Sequence, residues 1–425
     1  MKILQIIHGY PPDYNAGSEI YTQSISNELN KSHEVTIFSR EENDYQPDFM
    51  VRETFTETGI RHFRINMARG KDGYNHTEFN RHFIKLVESI KPDVAHIGHL
   101  NHLSTGIVDV LKELRVPILF TLHDFWLMCP RGQFLQRNFD DGNHYKLCDK
   151  QVNSLCAKSC YSMYNSGIDV EYDYRYWGNW ISTRMKTTKS LVSNIDIFHA
   201  PSRYLMNRFI EDFGIPFDKI FYLDYGFPVR YLKLTKRENK GSYTFGYIGT
   251  HTPAKGINLL IKAFNRLSGD VELKIFGRTN GQNTNALIHL AKQGINKVEF
   301  CGEYNNQDLS TSVFNKVDCI VVPSIWGENS PLVIHEAQAC KIPVITADYG
   351  GMKEYVKDNT NGLLFKHRDA DSLQKKMQFA LENQEIMTML GQRGYLHHPK
   401  GNVPSVEEHC EVLVEKYQKL ISNGY

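Results

Sequence analysis

Short, continuously apolar runs alternate with amphipathic stretches along almost all of this 425-residue chain, and the alternation restarts after one charged break. A strand that is apolar on both faces must be covered on both sides, so such runs argue for parallel sheets sandwiched between helices. In the first half the runs are KILQIIH (2–8), EVTIF (34–38), IRHFRI (60–65), DVAHIG (93–98), PILFTLH (117–123), IDIFHA (195–200) and IFYLDY (220–225). Helical patterns lie between them, as in SEIYTQSISNELN (18–30) and LSTGIVDVLKEL (103–114). LKLTKRENKGSY (232–243) is charged, poor in apolar residues and reads as a linker. The rhythm resumes with TFGYIG (244–249), VELKIFG (271–277), KVEFCG (297–302), CIVVPS (319–324) and PVITAD (343–348).

The architecture this predicts is α/β: two doubly wound, Rossmann-like domains over 1–232 and 233–403, with a helix over 404–425 returning to the first. Residues 125–190 break the rhythm with aromatics, Cys, Asn and Asp, and read as an insertion in the first domain. Ligands of open parallel sheets bind at the strands' carboxyl ends, so two such domains are expected to share one cleft lined by those ends.

Composition narrows the partners. Lys and Arg number 49 against 48 Asp and Glu, a formal charge of +1, so no global field recruits nucleic acid or an anionic membrane. The opening MKILQIIHGYPP is too short for a secretion signal, and no window approaches the ~20 apolar residues that span a bilayer. The expectation is a cytoplasmic protein whose membrane contact, where there is any, is peripheral at the inner face. Four of the eight cysteines, Cys129, Cys148, Cys156 and Cys160, cluster in the insertion. They read as ordinary reduced thiols or, against the C-x3-C spacing and the absence of a suitably placed His, as a metal or redox site.

The strand ends carry the chemistry. After 2–8 comes HGYPPDYNAGSEIYT, where Gly17 opens a helix and its amide can approach an anion. After 117–123 come His123 and, further on, Arg131. After 244–249 comes THTPAKG, where Lys255 precedes a helix; an ammonium there opposes the helix dipole unless an anion lies between them. Neither a Walker phosphate loop nor G-x-G-x-x-G follows a strand. After 319–324 comes IWGENSPLVIHEA, with Ser330 expected as N-cap, Pro331 as first helical residue and free amides at 331–333. Glu328 flanks those amides and Glu336 lies one to two turns into the helix. Carboxylates accept hydrogen bonds, often two at once, which suits the hydroxyls of a hexose or a ribose. The single D-x-D, Asp369-Ala-Asp371, sits where helix capping explains it.

PSIWGENSPLVIHEAQACKIPVITADYGGMKEYV (323–356) resembles the E-x7-E region of glycosyltransferase family 4, retaining sugar-nucleotide enzymes of the GT-B fold. GYIGTHTPAKG (246–256), HGYPPDYNAGSEIY (8–21), PDVAHIGHLNHLS (92–104) and TLHDFWLMCPRG (121–132) resemble other parts of that family in the same order. The resemblance implies that Glu328 contacts the donor hexose and that Asn329, Ser330, Pro331, Leu332 and Val333 line its sugar and phosphate. Glu336 would hold the ribose, Lys255 would neutralise the diphosphate, Gly17 would let a loop approach it, and His123 would contact the donor sugar. Gly249 and Thr250 belong to the donor loop. The family usually has Arg after that glycine; here Thr250 and His251 follow, and Arg278 is the expected substitute. Ala16 stands where the family often has Gly.

The activity implied is retaining transfer of a hexosyl-type unit from a UDP- or GDP-sugar to a saccharide or lipid-linked saccharide acceptor. No divalent metal or other cofactor is expected. The alternatives are a nucleotide-sugar-binding scaffold weakened by the missing Arg, or a GT-B-fold sugar-nucleotide epimerase.

Overall fold

The computed structural model describes residues 1–67, 74–139, 144–233 and 241–422. The chain divides into two compact units, one comprising 1–133, 150–226 and 404–425 and the other 134–149 and 227–403.

The first unit is built on β1 (Lys2–Ile7), β2 (Glu34–Glu41), β3 (Val51–Phe55), β4 (Arg61–Asn66), β5 (Val94–Ile97) and β6 (Ile118–Thr121). The chain then forms a separate antiparallel hairpin, β7 (Leu135–Phe139) and β8 (Tyr145–Leu147), before β9 (Ile197–Ala200) and β10 (Ile220–Tyr222). The sheet order is β10-β9-β6-β5-β1-β2-β4-β3, with every pairing parallel except β3 with β4. The helix Val406–Ser422 belongs to this unit: Tyr417 on it bonds His96 of β5 at 2.6 Å, and His409 bonds Tyr21 at 2.8 Å.

The second unit carries β11 (Tyr243–Ile248), β12 (Val271–Phe276), β13 (Lys297–Gly302), β14 (Cys319–Val322), β15 (Val344–Ala347) and β16 (Gly362–Phe365). Its order, β13-β12-β11-β14-β15-β16, is parallel throughout. Both sheets reverse winding beside their first strand, between β1 and β5 and between β11 and β14. Such switch points are where loops part and a ligand enters.

Two boundaries differ from the sequence reading. The insertion over 125–190 is split, because 134–149 folds with the second unit. Arg368 donates to the carbonyl of Tyr145 at 2.6 Å, and Phe139 and Tyr145 line a cavity of about 540 Å³ with Pro253, Ile257, Leu287 and Leu290. The second unit also begins at Phe227 rather than after 232, because Phe227 stacks on buried His335 at 4.9 Å. Most of the expected linker, 234–240, lies outside the described residues. Among the described residues no helix is long and apolar enough to cross a membrane.

Candidate functional site

At the switch point of the second unit, two loops meet. Glu328 follows β14 and is nearly buried. One of its oxygens, Oε1, accepts from Lys255 Nζ at 2.7 Å, Ser324 Oγ at 2.6 Å and Trp326 Nε1 at 2.9 Å. Its other oxygen takes no protein hydrogen bond among the described residues. The anion that offsets Lys255 in this structure is therefore Glu328 itself, across 73 residues of sequence.

Glycines make this approach possible. Gly256, at φ +70, is the N-cap of the helix Ile257–Phe264, and a Cβ there would stand 2.0 Å from the carbonyl oxygen of Pro323. No side chain is tolerated at that spacing, so the Lys255 loop rests directly on the end of β14. Gly350 and Gly351, which the sequence reading did not single out, lie beneath the Glu328 loop. A Cβ on Gly351 would fall 1.5 Å from the carbonyl oxygen of Asn329, and the Gly351 amide donates to the Glu328 carbonyl at 2.7 Å.

The helix that follows spans Leu332–Ala339, one residue later than expected. Pro331 rather than Ser330 is the N-cap, extended at ψ 112, and makes no side-chain capping bond. Its carbonyl already accepts from the Ile334 amide at 3.0 Å. Pro331 has no N–H, so the first-turn donors left by helix geometry are those of Leu332 and Val333. Asn329 and Ser330 are buried in the preceding loop. His335 fixes the helix through rings of Phe227 and Tyr355, and Gln338 donates to the Tyr355 carbonyl at 2.7 Å.

Glu336 is half-buried and makes no side-chain hydrogen bond or ion pair among the described residues. Burial pushes its carboxyl up to about 7, and His335 only partly offsets this. Tyr304 is raised as well, by burial first and then by Glu336 facing it. A carboxyl held above its unfolded value contributes most below the unfolded pKa, and that contribution is lost as pH rises through 7. Glu336→Gln mimics the protonated form at every pH. Its second unit should match wild type near pH 5 and gain at most about 3 kcal/mol near pH 8, read by thermal unfolding at both pH values. Equal stabilisation at both would contradict a carboxylate penalised by desolvation.

The other residues that the sequence assigns to a donor loop follow β11 and β12. Gly249, at φ +150, directly follows β11. The Thr250 carbonyl accepts from Tyr247 Oη at 3.2 Å. His251, in the position after it, is fully buried and turned to Thr284 Oγ1 at 3.2 Å, so it supplies no cation there; burial lowers its pKa. Arg278 follows β12, is exposed, and makes no ion pair among the described residues. Asp369 caps the helix Ala370–Glu382 through the amides of Asp371 and Ser372.

In the first unit the switch point gathers a different set. His8, after β1, meets Glu19 at 3.2 Å and the ring of His99 at 4.6 Å. Burial alone would raise the Glu19 carboxyl, but hydrogen bonds from His8 and Ser18 outweigh it and hold Glu19 down to about 2. Gly17 is the first residue of the helix Gly17–Leu29, with Ala16 as an N-cap that has no capping side chain. His123 bonds Tyr225 Oη at 2.6 Å through Nδ1 and packs on Tyr21 at 5.2 Å. Burial and then neighbouring histidines drive its pKa well down, so it is neutral. The sequence reading missed Glu19 because one acid in the first turn of a helix normally signals only the dipole.

Cys129, Cys156 and Cys160 are buried thiols outside any disulfide, and burial pushes the Cys156 thiol up to about 12. A thiol so raised is unreactive at neutral pH. Among the described residues no three His, Cys, Asp or Glu side chains gather as ligands for a metal.

Two doubly wound units, each with polar side chains at its switch point, define a protein of the GT-B class, and solved structures agree over the whole length. Sucrose-phosphate synthase of Thermosynechococcus elongatus superposes with a TM-score of 0.69 at 18% identity, covering 99% of both chains. Anabaena HepE, solved with UDP and glucose, gives 0.68 at 16% identity, covering 98% of this chain and 99% of that one. Two family models divide the sequence: Glycosyltransferase Family 4 matches 16–227, and Glycosyl transferases group 1 matches 233–397. The chain belongs to the group 1, family 4 glycosyltransferases. Among curated relatives, an uncharacterised glycosyltransferase of Methanocaldococcus jannaschii is 31% identical over 157 residues, 37% of this chain and 43% of that protein. D-inositol 3-phosphate glycosyltransferase of Mycobacterium marinum is 33% identical over 130 residues, 29% of this chain and 27% of that protein. These matches span less than half the length of either relative.

Proposed function

We propose that the chain moves a hexosyl-type unit from a UDP- or GDP-sugar to an acceptor hydroxyl with retention at the anomeric carbon. The product would be a polysaccharide, a lipid-linked saccharide or another glycoconjugate. The observation that carries this reading is the convergence of Lys255, Ser324 and Trp326 on one oxygen of Glu328, beside the helix Leu332–Ala339. Fixed on one side, the carboxylate keeps its second oxygen for hydroxyls of the donor hexose. The amides of Leu332 and Val333 and the ammonium of Lys255 meet the diphosphate, and Glu336 accepts the ribose hydroxyls. Gly17 and His123 carry the donor roles that the family resemblance assigns. That HepE was solved with UDP supports a nucleotide donor.

In the transfer, the bond from the anomeric carbon to the phosphate oxygen breaks and its electron pair leaves with the diphosphate. The acceptor oxygen forms the new bond on the same face, and its proton passes to the departing phosphate. Charge grows on the leaving oxygens, where Lys255 and the helix amides are already oriented, so stabilisation is greatest in the transition state. The reading needs neither a side-chain nucleophile nor a divalent metal.

A thermal-shift panel of UDP, GDP and their sugar conjugates tests the donor. Release of UDP or GDP, with and without acceptors and with excess EDTA, tests the reaction. Expected are stabilisation by one nucleotide family, acceptor-dependent release, and full activity in EDTA. Donor bound for hours without consumption across an acceptor panel would point to a scaffold, and conversion without acceptor to an epimerase. Complete loss in EDTA would overturn the metal-independent mechanism.

A further inference from the structure

The helical hairpin after the second unit's β7–β8 segment carries a surface that the donor site does not use. It consists of the helix Asn153–Ser159, a short turn, and the 25-residue helix Val170–Asn194. Cys156, Ala157 and Ile181 form its buried core, and Tyr161, Trp177 and Trp180 pack their inner sides against it. Outward from these the rings continue into solvent. Tyr164 packs at 5.5 Å from Trp177, Tyr176 meets Trp177 edge-on at 5.2 Å, and Tyr172 stacks with Tyr176 at 6.5 Å and 23°. Tyr164, Tyr172 and Tyr176 are each half exposed or more, at 54%, 54% and 50%.

Three features select the occupant. Each exposed ring is a tyrosine, so every flat apolar face ends in a hydroxyl. The ring-bearing stretch 150–176 is neutral, with Lys150, Lys158 and Arg175 against Asp169, Glu171 and Asp173, and the exposed Lys186 and Lys189 lie more than two turns further along the long helix, so the rings themselves lack the attraction that an anionic lipid surface or a nucleic acid needs. Exposed Asp169, Glu171 and Arg175 alternate with the rings, and the Arg175 guanidinium lies 5.9 Å over the Tyr172 ring. Flat apolar faces interleaved with hydrogen-bond acceptors and donors match a pyranose, whose C–H face is apolar and whose rim is hydroxyl. The half-buried tryptophans hold the row in place before binding, which lowers the entropic cost of docking a chain of sugars.

We propose that Tyr164, Tyr172, Tyr176 and Trp177 form a platform for a neutral oligosaccharide, engaging acceptor glycan away from the reacting hydroxyl. As a statement about the acceptor, this rests on the transferase reading. The test uses the full chain without sugar nucleotide on a printed glycan array, followed by titration of bound glycans and of maltohexaose, cellohexaose and chitohexaose. Tryptophan fluorescence is the signal. Tyr172→Ala and Tyr176→Ala, both exposed, should each weaken binding about tenfold while the thermal shift by sugar nucleotide stays at the wild-type value. Wild type binding no glycan, or both variants binding as wild type, overturns the platform. So does a loss, in the variants, of phosphatidylcholine–phosphatidylglycerol vesicle binding or of self-association in place of glycan binding. Glycan bound here with no response to any sugar nucleotide would instead remove the transferase reading and leave the platform standing.

Discussion

Lys255→Ala and Glu328→Ala should each lower acceptor-dependent release of nucleotide by about 10²–10³-fold, and the double variant should fall little further. The two side chains form one device. Lys255 Nζ lies 2.7 Å from Glu328 Oε1, and the ring of Trp326 stands 5.9 Å from the ammonium. On the proposed reading, removing the ammonium would leave growing phosphate charge without this cation, and buried His251 supplies none in its place. Removing the carboxylate would leave the ammonium unheld and, on the same reading, the donor hexose without its acceptor. Groups that act as a unit lose function non-additively, so the shortfall from additivity is itself a readout. Stability should change less than rate, because the Lys255 side chain is 34% exposed and water replaces part of what the pair contributes. Glu328→Gln separates charge from geometry: it keeps an oxygen for Ser324 and Trp326 but loses the ionic contact with Lys255. Near-normal rates in both alanine variants would remove the site assignment.

The strands were legible because burial on both faces writes itself as unbroken apolar runs, and KILQIIH, EVTIF and CIVVPS became β1, β2 and β14 within a residue or two at most ends. Their order was not. Which strand lies beside β1 is decided by helix packing and crossover handedness, and those leave no local trace. The antiparallel edge strand Val51–Phe55 was missed, since a solvent-facing run in which no residue is buried carries a weaker signal. At the site, Glu328, Glu336 and the helix start were readable from their place after a strand. The Lys255–Glu328 contact was not, because a phosphate-binding reading of the one and a sugar-binding reading of the other never set them against each other. The cradle of Gly350 and Gly351 did have a signal, the pair in ITADYGG after β15. The hairpin 134–149 had none: its allegiance depends on Arg368, more than two hundred residues away.

Acidification to about pH 5 should unfold the first unit while the second keeps its structure. The reason is a set of buried histidines whose proton positions are dictated by their partners. The Leu223 carbonyl can only accept, so His199 donates to it from Nε2 at 2.6 Å and must accept at Nδ1 from Thr121 Oγ1 at 3.0 Å. Thr121 then accepts from His96 Nε2, and His96 Nδ1 accepts from Tyr417 of the C-terminal helix, each at 2.6 Å. By the same logic His409 donates to the Asp224 carbonyl and accepts from Tyr21, both at 2.8 Å. Each ring must be neutral for its chain to close. Burial is the leading cause that lowers His199 to about 4 and His409 and His62 to about 3, and it takes His96 and His123 well below their ordinary value. The sign follows directly: between 6.5 and those values the unfolded chain binds more protons, so stability falls as pH falls. At pH 5 each such histidine costs about 2 kcal/mol, and five of them approach the whole folding free energy of an ordinary domain. Glu19, held at about 2, adds its own loss only below pH 4.5. In the second unit burial lowers His251 and His367, and Glu336 works in the opposite direction. Hydrogen exchange at pH 7 and pH 5, corrected for intrinsic rates, should show protection lost first from β5, β6, β9 and the helix Val406–Ser422. Strands β14 and β15 should remain protected. Protection lost first from β14 and β15, or kept throughout the first unit down to pH 4, would show that these histidines do not govern its stability.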